Sequence, residues 1–139
     1  PLPCELHQTL PAVMFVSIGA NDARNGTDAF TFQSILSQLV NTIAANGTIP
    51  VLLTIPDDGS TPNTAVINET IIIVAQANDV PLLNVARALA QRPDASLNAS
   101  PTGAGDLSST AISNYGINAV NFGLLRVLGD ARNIVFPDA

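Results

Sequence analysis

Lysine is missing from this chain. Its 139 residues carry five positive charges, all arginine (Arg24, Arg87, Arg92, Arg126 and Arg132), against eleven carboxylates, for a net charge of −6. Binding to nucleic acid needs clustered cations that displace counterions, so that class of function is excluded. Charged residues of both signs make up only 12% of the sequence, against roughly 25% in an ordinary soluble domain. Tryptophan is absent and aromatics reach 4%. Cys4 is the single cysteine, which excludes an internal disulfide and leaves a free thiol or a bridge to another chain. His7 is the single histidine and has no second ligand near it in sequence, so no metal site is expected, and no cofactor motif is present. No apolar run approaches the roughly 18 residues of a membrane helix, and Ile71–Val74 is far too short. There is no signal peptide and no initiator methionine, so the sequence reads as a processed or excised piece.

What is present is apolar and periodic. Hydrophobic residues reach 47%, enough for one domain over residues 1–139 with a real core. Val13–Ile18 is a continuous apolar run of strand length between Pro11 and Gly19. Asp28–Asn46 follows, with Phe32, Ile35, Leu36, Leu39, Val40 and Ile43 at helical spacing on one face, Thr27 or Asp28 as cap and Gly47 as stop. Ile49–Ile55 reads as a second buried strand, closed by Pro56-Asp57-Asp58-Gly59, a turn. Thr64–Asn78 reads as a helix with Val66, Ile67, Ile71, Val74 and Ala75 inward, although its β-branched centre suits a strand by propensity. Val80–Asn84 is a short third strand and Val85–Ala90 a helical turn. Residues 91–109 form a long irregular loop, and a last helix spans Thr110–Leu128, ended by Gly129. A β-α-β-α-β-α order predicts parallel strands joined by helical crossovers.

The most informative stretch is Val13-Met-Phe-Val-Ser-Ile-Gly19-Ala-Asn21-Asp22, a buried strand running into a turn. It places a glycine N–H and a side-chain amide at the carboxyl edge of a sheet, where α/β folds bind ligands and where an amide can donate to a developing oxyanion. Asn21 thus has two readings: oxyanion donor, or turn residue at a strand end. Asp22 is expected to order the turn through backbone N–H groups. Asp57 and Asp58 read as a turn or as paired carboxylates; with Asp22 and Asp94 they could line one sheet edge and hold Ca²⁺. Asn25, Asn46, Asn68 and Asn98 each begin an N-glycosylation pattern. With the low charge and the many threonines and asparagines, these lean toward an extracellular protein.

The Gly19-Ala-Asn21-Asp22 block, the Gly47-Thr-Ile-Pro-Val strand through Pro56, the Asp79-Val-Pro-Leu-Leu-Asn84 strand and the closing Tyr115-Gly116-Ile-Asn118-Ala-Val-Asn121 together resemble an SGNH (GDSL-type) hydrolase, from about Pro1 to Leu128. The resemblance implies a three-layer α/β/α, flavodoxin-like fold and esterase, lipase or carbohydrate deacetylase ancestry. It makes Gly19 and Asn21 vestigial oxyanion-hole residues. The family's Gly-Asp-Ser block, which supplies the nucleophile, would lie before Pro1, so the sheet is expected to be short and truncated at its amino-terminal strands. Gly105-Asp106-Leu107-Ser108 resembles that block in letters only and sits in the late loop. The Asp-x-x-His block is matched by Asp94-Ala-Ser-Leu97, or in another register by Asn98-Ala-Ser100, and neither supplies a histidine. Acyl transfer from a serine needs a base within reach.

Without its central neighbour, Val13–Ile18 becomes a bare apolar edge strand, which invites pairing with a copy of this chain or with a second chain. The sequence therefore predicts a catalytically inert, self-assembling structural domain. The alternatives are the carboxyl-terminal part of an esterase or deacetylase completed by another chain, and a module that keeps the cleft for a glycan or acyl ligand.

Overall fold

The computed structural model describes residues 2–57, 59, 61–92 and 97–135, and forms two compact units, Pro1–Leu82 and Leu83–Ala139. Asp58 and Asp94 lie outside the described residues.

The first unit opens with α1 (Leu2–Thr9), a helix that sequence periodicity did not reveal. It has one buried residue, Leu6, which joins the main core with Leu2 packed against that core. Leu10 ends it in the left-handed region (φ 43°). Strand β1 (Val13–Val16) leads to α2 (Ala20–Asn25), then α3 (Ala29–Ala45), β2 (Ile49–Leu53) and α4 (Thr64–Ala77). Strands β1 and β2 pair in parallel with Val13 opposite Ile49 and Val16 opposite Leu52. The short β3 (Leu82–Leu83) completes a sheet of order β1-β2-β3, with the Leu52 N–H donating to the Pro81 carbonyl at 2.9 Å. The fold is α/β with a short parallel sheet, and among the described residues β1 is an edge strand.

Local chemistry explains these elements. Asp28 caps α3, its Oδ1 accepting from the Thr31 N–H at 2.9 Å. Phe32, Leu36, Val40 and Ile43 then fall on one buried face, whereas Ile35 is half exposed and does not share it. Gly47 turns the chain at φ 78°, and the Thr48 hydroxyl donates to the Pro11 carbonyl at 2.7 Å, tying the entrance of β2 to that of β1. In α4 the β-branched run stays helical because Ile67, Ile71 and Val74 are buried at helical spacing. Such packing outweighs propensity differences of less than about 1 kcal/mol per residue. Val66, expected inward, is 41% exposed. Asn68 is buried on the same helix and bonds both backbone groups of Ile55.

In the second unit, Asn84 caps α5 (Val85–Ala90) by accepting from the Arg87 N–H at 2.9 Å. The expected last helix is two helices, α6 (Ser109–Asn114) and α7 (Gly116–Val135), broken at Tyr115, which is extended. Gly129 does not end α7; it lies inside it. Gly123 of α7 sits against Leu83, and a Cβ there would come within 2.9 Å of Leu83 Cδ1. No helix among the described residues is long and apolar enough to cross a membrane.

Candidate active site

The edge of the sheet that the sequence singled out is built by Gly19. Its φ of 113° is open to glycine and strained for any other residue. It is also buried, and a Cβ there would lie 2.7 Å from Ile67 Cγ2 and 3.1 Å from Phe32 Cζ. Two constraints therefore meet at one position: the chain must reverse after β1, and α3 and α4 approach it too closely for a side chain.

The expected open turn is instead the first turn of α2. The Gly19 carbonyl accepts from the Ala23 N–H at 2.8 Å, which winds Ala20-Asn21-Asp22 into the helix. Asp22 orders the far end through its backbone carbonyl, which accepts from Gly26 and from Thr27. Asn21 is exposed, and its Oδ1 accepts from Arg24 Nη1 at 3.0 Å. An arginine can only donate, so this contact orients the amide: oxygen toward Arg24, nitrogen away. Sequence reasoning missed Arg24. The signal was its i+3 spacing from Asn21, which counts only once the segment is seen to be helical.

Beside α2 lies a cleft of about 210 Å³ lined by Ala20, Arg24, Ile55, Pro56, Thr61 and Thr64. Ile55 in this lining is held by Asn68, whose two hydrogen bonds to it fix the chain where it leaves β2. Asp57 makes a local turn, its carboxylate accepting from the Gly59 N–H at 3.0 Å. Among the described residues no group of three or more His, Cys, Asp or Glu side chains could hold a metal ion.

The other sequence candidates are on other elements. His7 is exposed on α1, as is Cys4. Within the second unit, Ser108 is the cap of α6, its Oγ accepting from the Ala111 N–H at 3.3 Å. Asp106 accepts from the Thr102 hydroxyl and from the Ser108 N–H, and these bonds, the Thr102 hydroxyl foremost, hold its carboxyl below the ordinary value. The centre of this loop is Asn118, wholly buried: Oδ1 accepts from the Ser100 N–H at 2.9 Å, while Nδ2 donates to the carbonyls of Gly103 and Asp106. Asn121 adds a bond to the Ala104 carbonyl at 2.9 Å. The Asn98 carbonyl accepts from the Ile117 N–H. Among the glycosylation patterns, Asn25, Asn46 and Asn98 are exposed, but Asn68 is buried with its amide nitrogen engaged, so it is a structural amide and no surface acceptor.

A parallel sheet whose first strand runs into a Gly-x-Asn-Asp helix start is an α/β arrangement with this corner at the end of β1. The chain belongs to the GDSL-like lipase/acylhydrolase family, whose model matches residues 2–105. Among solved structures it is similar to the psychrotrophic esterase EstA from Pseudoalteromonas sp., in a form inhibited by monoethylphosphonate. The TM-score is 0.63 and the identity 16%, over 95% of this chain and 69% of that one. At that identity the likeness shows the fold. No match was found among curated proteins.

Proposed function

We propose that this chain is a GDSL-type domain without esterase activity of its own, which works outside the cell by assembling through β1. The observation that carries this reading is the edge position of β1 among the described residues. The Ala12 carbonyl accepts from the Ile49 N–H at 2.9 Å, so the strand's alternation turns the backbone groups of Val13 and Phe15 to the unpaired side. Val13-Met-Phe-Val16 carries no charge and no proline, the usual guards of an edge. The inertness rests on His7, the chain's only histidine, which is exposed on α1 and makes no hydrogen bond to a serine among the described residues.

Native mass spectrometry tests this directly. The 14.4 kDa chain is expected to give dimers or larger closed or open assemblies. Val13→Pro, which removes only an outward N–H at the first position of an edge strand, is expected to shift them to monomer while keeping the fold. Hydrolysis of p-nitrophenyl acetate is expected to match buffer. A monomer at every concentration, or turnover that Asn21→Ala abolishes, overturns the reading.

A second reading has its own support. Gly19 and Asn21 keep the form of an oxyanion corner, as expected if another chain supplied a nucleophile and a base. A stable hetero-complex with esterase activity, in place of self-assembly, would favour it.

A further inference from the structure

Arg24 stands in a setting that its role as a partner of Asn21 does not use up. Among the described residues it makes one hydrogen bond, from Nη1, and no ion pair. A guanidinium has five N–H donors in a planar fork, so most of its donor capacity remains open. It lines the 210 Å³ cleft in the first unit, next to two hydroxyl-bearing residues, Thr61 and Thr64. Thr64 is buried and Thr61 half-buried, so the cleft has depth on that side. The other lining residues, Ala20, Ile55 and Pro56, carry no charge. Asn21 adds a further donor nearby: its oxygen is held by Arg24, and its Nδ2 has no acceptor among the described residues.

A cation with no ion pair among the described residues, in a cleft lined also by hydroxyl-bearing residues, within a chain of net charge −6, is a local exception to the sign of the whole molecule. The chemistry that complements it is a group of acceptor oxygens bearing negative charge, which a guanidinium binds with paired, charge-assisted hydrogen bonds. Arg92 shows the contrast: its Nε and Nη1 are spent on the Ile112 and Ala88 carbonyls, leaving less to offer a ligand.

We propose that the cleft lined by Arg24, Thr61 and Thr64 is a binding site for a small oxyanion, a carboxylate or a phosphate, with Arg24 as its charged anchor. The site needs neither a nucleophile nor assembly through β1, so it stands or falls separately from the function proposed above.

The full chain, labelled with ¹⁵N, is titrated in separate arms with inorganic phosphate and with sodium acetate, and sodium chloride serves as the ionic-strength control. Saturable shifts are expected at the Arg24 side chain and at the Ala20, Ile55, Thr61 and Thr64 amides in at least one arm. The responding arm identifies the class of oxyanion. Arg24→Gln is expected to weaken binding at least tenfold, and because Arg24 is exposed the variant keeps its amide spectrum elsewhere. The proposal is overturned if neither anion gives saturable shifts, if chloride reproduces them, or if Arg24→Gln binds as the unmodified chain does.

Discussion

Asn68 holds Ile55 by both halves of its backbone: Oδ1 accepts from the Ile55 N–H at 2.8 Å, and Nδ2 donates to the Ile55 carbonyl at 2.9 Å. A side-chain amide on α4 thereby does for the end of β2 what a neighbouring strand would do. Ile55 and Asn68 are both buried, so neither backbone group has water as a ready substitute. Asn68→Ala is expected to orphan both and to cost about 2–6 kcal/mol, since each buried unsatisfied group costs about 1–3 kcal/mol. A lowered urea midpoint at unchanged slope would show it.

Gly19→Ala tests the meeting of backbone and packing constraints after β1. The left-handed φ disfavours a side chain by about 1–2 kcal/mol, and a Cβ 2.7 Å from Ile67 Cγ2 forces a shift in the core. Overpacking of this kind typically costs about 1–3 kcal/mol. Ile67→Val deletes only Cδ1 and keeps the crowding Cγ2, so the informative double variant is Gly19→Ala/Ile67→Ala, which removes it. In thermal unfolding, Gly19→Ala should be strongly destabilising, and adding Ile67→Ala should cost less than Ile67→Ala does in the unmodified chain.

Acid sensitivity follows from Asp28 and Asp106. Hydrogen bonds from Thr31 hold the Asp28 carboxyl below its ordinary value, and the Thr102 hydroxyl and Ser108 donors do the same for Asp106. With the folded pKa below the unfolded value of about 3.9, the unfolded chain binds more protons between the two. The stabilising contribution is complete above the unfolded pKa and is lost as pH falls through the folded one. Asp28→Asn keeps a competent cap but cannot titrate. Its stability is expected to fall less steeply below about pH 4 than that of the unmodified chain, as denaturant midpoints at a series of pH values would reveal.

Asn118 is expected to control the loop of residues 97–108. In Asn118→Ala the Ser100 N–H and the Gly103 and Asp106 carbonyls lose their buried partner. Amide hydrogen exchange at Ser100 should accelerate at least tenfold, equivalent to about 1.4 kcal/mol or more of local stability. Amides of α3 and α4 should exchange at their former rates.

The sequence carried the strands and the amphipathic helices well because burial leaves a period. Phe32, Leu36, Val40 and Ile43 announced α3, and Asp28 announced its cap. It concealed α1, where a single buried side chain, Leu6, leaves no pattern to read. It also concealed the winding of Asn21 into α2, because Gly-x-Asn-Asp satisfies turn chemistry and a helix start equally well. The break at Tyr115 has no glycine or proline at the residue itself to mark it. The corner after β1 was legible in Gly19 and Asn21 by type and order. Arg24 was not, since its contact exists only in three dimensions. Asn68 was legible as the start of a glycosylation pattern and Asn118 as part of the closing block, and neither reading says whether an amide faces water or a backbone.

The two buried asparagines also sort this protein's amides by durability. Hydrolytic loss of ammonia turns an asparagine into an acid, and it proceeds through attack by the next residue's backbone nitrogen, which needs a mobile chain and an open side chain. Asn68 and Asn118 have neither freedom, and conversion at Asn68 would set a carboxylate oxygen against the Ile55 carbonyl. Asn25 and Asn46 are exposed at helix ends and are each followed by a glycine. Chemical ageing should therefore begin at the closing turns of α2 and α3 and reach the amides that hold the fold last.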